Sequence, residues 1–282
     1  DRPPLAGAQQ CKGPLHHLRD LGHLRDRLGP LGDRFEAAAH FKIGRNAQPG
    51  ALERAGQDQQ GDCLEIDLPA EGRIHTRILW GMFTGDECLA GKNPVKGTEL
   101  CAVVEFMYSL EILLSVFGEP VWGDRLERVA FNALPATFTP DMWAHQYDQQ
   151  VNQIQCTINP DHMWTTNGPE SNLYGLEPNF GCCTSNMHQG WPKFAANLWM
   201  GAPDGGIAAA AYAPSEARFR SGGVPVRVTL DTDYPFREIL ELAVALDGSA
   251  RFPLFLRVPE WAVEPTVRHE GGPQEPLTPG SF

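Results

Sequence analysis

Four residues in two short clusters carry donor atoms of the kind that close a tetrahedral metal site. Glu99 and Cys101 stand two apart, and Cys182 and Cys183 are adjacent in the run Asn179-Phe180-Gly181-Cys182-Cys183-Thr184-Ser185-Asn186. Thiolate sulfur and carboxylate oxygen are ligands that zinc accepts, both in closed structural sites and in sites that keep a position open for chemistry. A zinc-held thiolate serves either as a structural clip or as a nucleophile, and residue type alone does not separate the two. A third reading needs no metal. Unpaired cysteine packs as a small hydrophobe, and in a chain with seven cysteines an adjacent pair is also explained as buried free thiols.

The elements around these clusters must bring them together. Thr98 is a good N-cap for a helix over 98–117, with Gly118 as its stop and Pro120 beyond. Leu100, Val103, Val104, Met107, Leu110, Leu114 and Phe117 recur at helical spacing and predict its buried face. A second helix is predicted over 124–133, with Leu126, Val129, Ala130 and Ala133 inward; the short link makes the two an αα-hairpin. Glu99 and Cys101 then fall in a first helical turn, where the positive end of the helix dipole favours carboxylate and thiolate.

Between about 135 and 192 the chain turns irregular and aromatic-rich, with Trp143, Tyr147, Trp164, Tyr174, Phe180 and Trp191 among Asn, Gln, His and Glu. Aromatic faces beside amides and carboxylates suit a sugar site; ordinary anchors under long loops have the same composition. After about 197, strand-like runs at 206–212, 224–230, 239–246 and 252–258 predict a β-sandwich, cut short at Phe282. Alternation is clearest in Val226-Arg227-Val228-Thr229-Leu230 and Phe255-Leu256-Arg257-Val258.

Charge and composition narrow the partners. The net charge of −12 argues against nucleic acid and against an anionic membrane surface. No run approaches the ~18 consecutive apolar residues of a membrane span, and no signal-peptide pattern opens the chain. An odd cysteine count without regular spacing is unlike a secreted disulfide framework, so a reducing compartment, the cytoplasm, is expected. No sequence feature indicates an oligomeric state. Residues 1–80 differ from the rest: their acidic and basic residues balance, they contain no Tyr, and neither helical nor alternating patterning is sustained. A shifted reading frame in a GC-rich gene, or a natural disordered leader, would give that composition.

From Gly81 onward the chain resembles the β-L-arabinofuranosidase family, glycoside hydrolase family 127 and its relatives. The resemblance is carried by Gly81-Met82-Phe83-Thr84-Gly85-Asp86-Glu87, Gly97-Thr98-Glu99-Leu100-Cys101, Arg125-Leu126-Glu127-Arg128-Val129-Ala130-Phe131-Asn132, Phe180-Gly181-Cys182-Cys183-Thr184-Ser185-Asn186 and Leu254-Phe255-Leu256-Arg257-Val258-Pro259-Glu260-Trp261-Ala262. It implies the later part of an (α/α)6-barrel catalytic domain over 81–200, then a truncated β-sandwich over 201–282. It further implies a carbohydrate substrate and bound zinc.

Carried over residue by residue, the resemblance makes Glu99, Cys101, Cys182 and Cys183 the zinc ligands, and Cys182 also the nucleophile of a retaining glycosidase. Glu127 and Tyr147 match positions that line the sugar pocket. The general acid is carried over less directly, because Gly81-Met82 stand where the family places a Glu. Glu87 is the favoured candidate and Asp86 the next. His145 and His188 are read as sugar contacts or structural hydrogen-bonding groups. The alternative reading is a non-catalytic fragment in which the zinc-cysteine cluster only holds loops together.

Overall fold

A computed structural model of the chain describes residues 77–78, 82–84, 97–150, 153, 155–161, 168–176 and 180–282. Apart from Arg77–Ile78, the atypical segment 1–80 lies outside the described residues, as do Glu87, Asp86 and Trp164.

Helix α1 spans Leu100–Phe117 and buries Leu100, Val103, Val104, Met107, Leu110 and Leu114, the face expected from their spacing. Phe117, placed on that face by periodicity, is instead exposed and tilts against Trp122. By length and composition α1 could cross a membrane; here its apolar residues are part of a core packed with Leu126, Phe194 and Leu198. Gly118 ends it in the left-handed region at φ 66°, donating its N–H to the Leu114 carbonyl, a conformation costly to residues with a Cβ.

Helix α2 spans Pro120–Arg128 and starts four residues earlier than expected, because Pro120 occupies the first turn, where its missing N–H costs nothing. The helix then widens into a π turn over Val129–Ala133, where Leu134 N–H donates to the Val129 carbonyl, before a last turn Leu134–Ala136. Pro135 accounts for the widening: a proline in α register would clash with the carbonyl four residues before it.

Helix α3, Gly181–Ala196, was not anticipated. Its Gly181, Gly190 and Pro192 are weak helix formers, so propensity argues against it. Packing decides otherwise. A Cβ at Gly190 would come within 3.0 Å of the Leu134 side chain and 3.4 Å of Val104, so the glycine allows α3 to lie close on α1.

The short strands β1 (Arg77–Ile78) and β2 (Met82–Phe83) pair antiparallel, as do β3 (Thr98–Glu99) and β4 (Asp148–Gln149). Thr98 is therefore in a strand rather than capping α1. Two three-stranded sheets follow. One has the order β10 (Leu254–Leu256), β6 (Gly206–Ala209), β5 (Trp199–Ala202), with β10 parallel to β6. The other is an antiparallel meander of β7 (Ser215–Ser221), β8 (Val224–Thr232) and β9 (Leu240–Leu246). β7 had no counterpart among the expected strands. Along β8, Val226, Val228 and Leu230 are buried while Arg227 is exposed, as its alternation required. Buried residues of both sheets share one apolar cluster that includes Ala209, Tyr212, Val228 and Leu242. β11 (Thr266–Val267) and β12 (Glu275–Pro276) close a final hairpin.

A buried polar network joins α2 to the sheets. Arg257, fully buried, pairs with Asp124 and, at 2.5 Å, with Glu127. Glu127 also accepts the Tyr212 N–H at 2.7 Å and the Tyr234 hydroxyl at 2.6 Å. Burial works against the Arg257 charge, but Glu127 and Asp124 outweigh it and raise its pKa. Burial lifts Asp124, with Arg257 opposing.

A second buried carboxylate lies on α1. Glu111 accepts from Asn197 Nδ2 at 2.7 Å, and burial raises its pKa to about 7, against the opposing pull of Lys193 and Asn197. Because the folded value lies above the unfolded one, the native state binds the extra proton, and Glu111 favours folding most at low pH. That contribution is lost as pH rises through about 7. Unfolding in urea at pH 5 and pH 8 is expected to show up to about 3 kcal/mol of such dependence. Glu111→Gln, which keeps an acceptor for Asn197, removes it; an unchanged pH profile in the variant excludes this residue as the source.

Candidate metal and catalytic site

The first ligand cluster sits where β3 passes into α1. Glu99 occupies the N-cap position with extended backbone, φ −71° and ψ 139°, yet its side chain caps no amide. Leu100 N–H donates to the Tyr147 carbonyl at 2.8 Å, which extends the β3–β4 pairing by one residue into the helix start. The Glu99 carboxylate stands 4.0 Å from Cys182 Sγ. Gly97, at φ 62°, precedes this strand, and a Cβ there would fall 2.1 Å from an Asp148 carboxylate oxygen. Glycine is required both for that backbone angle and for that approach.

The second cluster occupies the first turn of α3. Phe180 is its N-cap, and the Phe180 carbonyl accepts Cys183 N–H at 3.0 Å. Consecutive helical residues point about 100° apart, and the two thiols accordingly differ: Cys183 is buried in the α1–α3 core while Cys182 is exposed. Asn186 Nδ2 donates to the Cys182 carbonyl one turn later, at 3.0 Å.

Cys101 Sγ lies 3.3 Å from Cys183 Sγ. One donor atom from each of Glu99, Cys101, Cys182 and Cys183 lies within 4.8 Å of the others, a group that could hold a metal ion. The Cys101 thiol is pushed far above its ordinary range, chiefly by its contact with Cys183 and then by burial. Burial also raises Cys182, with Cys101 and Glu99 adding to the effect.

The other expected site residues divide. Tyr147 is buried beside the cluster, its ring stacked on Phe180 at 3.9 Å between centroids. His145 is buried, with Nε2 3.3 Å from Thr184 Oγ1 on α3, while its backbone pairs with Gly175. His188 is exposed on α3. Glu127 does not join the cluster. Both of its oxygens accept from Tyr212, Tyr234 and Arg257 in the junction between α2 and the sheets, so a sugar hydroxyl would have to displace one of these donors. Glu87 is outside the described residues.

Several supporting residues gave little signal in the sequence. Gln149 Nε2 donates to the Ala133 carbonyl at 2.8 Å, Asn172 Nδ2 to the Asp148 carbonyl at 2.6 Å, and Gln146 Nε2 to the Asn172 carbonyl at 3.1 Å. These buried amides hold the segment that carries Tyr147 and β4. Polar side chains in an aperiodic stretch read as loop, so only their burial reveals the role.

Comparison with known proteins bears on the same residues. The model of the catalytic domain of β-L-arabinofuranosidase, glycoside hydrolase family 127, matches residues 82–196, and that of the family's middle domain matches 206–282. A solved structure described as a glycoside hydrolase aligns with a TM-score of 0.55 at 20% identity, covering 68% of this chain and 31% of its own. A family 127 β-L-arabinofuranosidase from Geobacillus stearothermophilus T6 aligns with a TM-score of 0.52 at 16% identity, covering 73% of this chain and 35% of its own. At these identities the likeness is one of fold. The chain spans about a third of the length of either structure. No curated protein matches it.

Proposed function

Because the chain belongs to the β-L-arabinofuranosidase family, glycoside hydrolase family 127, we propose that it is part of a retaining glycosidase with Cys182 as nucleophile and zinc as metal. The substrate class is a terminal β-L-arabinofuranoside or a related sugar. In this reading residues 81–200 form the later part of an (α/α)6-barrel catalytic domain and residues 201–282 a β-sandwich module.

The observation that carries the proposal is the quartet itself: four convergent donors, of which the Cys182 thiol is the exposed one. The donor set fits zinc. Zinc–sulfur bonds of about 2.3 Å place tetrahedral ligands about 3.8 Å apart, close to the 3.3 Å between Cys101 and Cys183 and the 4.0 Å between Cys182 and Glu99. Four anionic donors at such range repel one another unless they share a cation. Glu99, Cys101, Cys182 and Cys183 would hold the ion; when bound, it supplies the charge that keeps cysteine sulfur deprotonated at neutral pH.

Cys182 is then a thiolate that needs no partner base. Its sulfur attacks the anomeric carbon while the glycosidic C–O bond breaks, and Glu87, the candidate acid, protonates the departing oxygen. Water then displaces sulfur from the glycosyl–cysteine intermediate, giving its proton to the carboxylate that the acid has become and returning the thiolate, and two inversions give net retention. Sulfur takes the place of one carboxylate of the usual pair. Buried Cys183 and half-buried Cys101 hold the site.

The purified chain is expected to bind about one zinc per molecule, and Glu99→Ala or Cys101→Ala to lose most of it, because a site with three of four ligands binds far more weakly. Metal analysis after dialysis against a weak chelator reads this directly. Full occupancy in both variants removes these residues from the metal site and the proposal with them.

A further inference from the structure

Tyr147 contacts a residue beside each half of the cluster, Leu100 on one side and Phe180 on the other. Its carbonyl accepts the N–H of Leu100, the residue between Glu99 and Cys101, at 2.8 Å. Its ring lies on Phe180, centroids 3.9 Å apart and planes inclined by 8°. Phe180 in turn starts α3, its carbonyl receiving Cys183 N–H at 3.0 Å and Thr184 N–H at 3.4 Å. The next two residues, Asp148 and Gln149, pair with Glu99 and Thr98. One residue thus links two ligand pairs that are widely separated in sequence.

The geometry of the stack is informative. Aromatic rings left to themselves prefer offset or edge-to-face arrangements, with centroids farther apart. At this distance and inclination the two rings are in face-to-face contact, one carried by the residue before β4 and the other by the N-cap of α3. Both rings then resist sliding, and the ends of α1 and α3 are kept in register.

We propose that the Tyr147–Phe180 stack is a positioning clamp that sets the distance between Glu99–Cys101 and Cys182–Cys183 before any metal binds. Preorganisation of this kind raises metal affinity by removing the ordering cost from the binding step. Tyr147 acts through the ligands; its ring, not its hydroxyl, does the positioning. The metal consequence rests on the zinc reading above, whereas the preformed spacing does not.

Two measurements on the 282-residue chain separate these. Zinc affinity is read by competition with a chromophoric chelator for the parent chain, Tyr147→Phe, Tyr147→Leu, Phe180→Leu and the double leucine variant. Tyr147→Phe keeps the parent affinity, each leucine variant loses at least tenfold, and the double variant is no weaker than the weaker single one, since both remove one interaction.

The second measurement uses metal-free protein and glutathione disulfide. One cysteine thiolate attacks it, forming a mixed disulfide and releasing a glutathione thiolate; the neighbouring cysteine then attacks the protein sulfur, forming the Cys101–Cys183 disulfide and releasing the second glutathione. Two protein thiols are oxidised and one glutathione disulfide is reduced to two thiols. The ratio of internal to mixed disulfide, read by mass spectrometry of peptides, reports how firmly the sulfurs are held together.

That ratio is expected to fall at least tenfold in both leucine variants and to persist in Tyr147→Phe. An unchanged ratio in the leucine variants overturns the clamp, whatever the zinc affinities are. A parent chain that binds no zinc, with a ratio that still falls, leaves the clamp standing and removes the metal reading. Phe180 is half-buried, so Phe180→Leu decides the matter should Tyr147→Leu not fold.

Discussion

Cys182→Ser, made in a protein carrying this chain with the rest of its catalytic domain, is expected to lower turnover roughly 10⁴-fold or more, as removal of a nucleophile does elsewhere. A serine hydroxyl is far harder to deprotonate than a thiol, and no histidine or carboxylate base is needed for a metal-held thiolate. Cys183→Ser is expected to act differently. Cys183 is buried against the core and Cys182 is exposed, so the Cys183 substitution weakens metal binding and added zinc restores part of the activity. Steady-state rates at a series of free zinc concentrations check the contrast. Robust turnover by Cys182→Ser ends the thiolate mechanism; loss that zinc repairs moves Cys182 from nucleophile to plain ligand.

Arg257→Met is expected to destabilise the chain by about 3–5 kcal/mol, since removal of one partner strands buried charge. Two buried carboxylates, Asp124 and Glu127, would face one another without a cation. The sign with pH follows. Burial already raises Asp124, and loss of the guanidinium removes an opposing influence, so the variant's deficit shrinks as acid neutralises Asp124. Urea unfolding at pH 5 and pH 8 measures it. Gly123→Ala is expected to go the same way without a change of charge, because its Cβ would lie 2.6 Å from Arg257 Cδ and 2.8 Å from the Ala210 carbonyl oxygen. An Arg257→Met chain as stable as the parent would show that the network does not bind α2 to the sheets.

These two expectations rest on different kinds of information. Glu99, Cys101, Cys182 and Cys183 were legible as candidate donors because their chemistry lies in their residue types, and the structure brings the four together. The apolar face of α1 was legible because Leu100, Val103, Val104, Met107, Leu110 and Leu114 share one side at helical spacing, and the alternation of β8 because Val226, Val228 and Leu230 share one face of a strand. β7 shows that a sequence signal can be weak as well as absent: of its seven residues only Ala217 and Ser221 are buried.

Arg257 is the clearest limit. As a polar residue in an alternating run it reads as outward-facing, yet it is fully buried, because Asp124 and Glu127 approach it from a helix far away in the chain. Helix α3 likewise forms against its own propensities, through a Gly190 contact with Leu134 and Val104. Glu99 faces the cysteines from a strand that pairs with Asp148–Gln149, a segment far away in the chain. Sequence by itself determined which atoms could bind a metal and which local faces must be buried, since both follow from side-chain chemistry and short-range period. Tertiary structure alone decided that Cys182 is exposed while Cys183 is buried, that Glu127 lies between α2 and the sheets, and that Tyr147 stacks on Phe180 at the start of α3, since burial and long-range contacts depend on neighbours that no local spacing encodes.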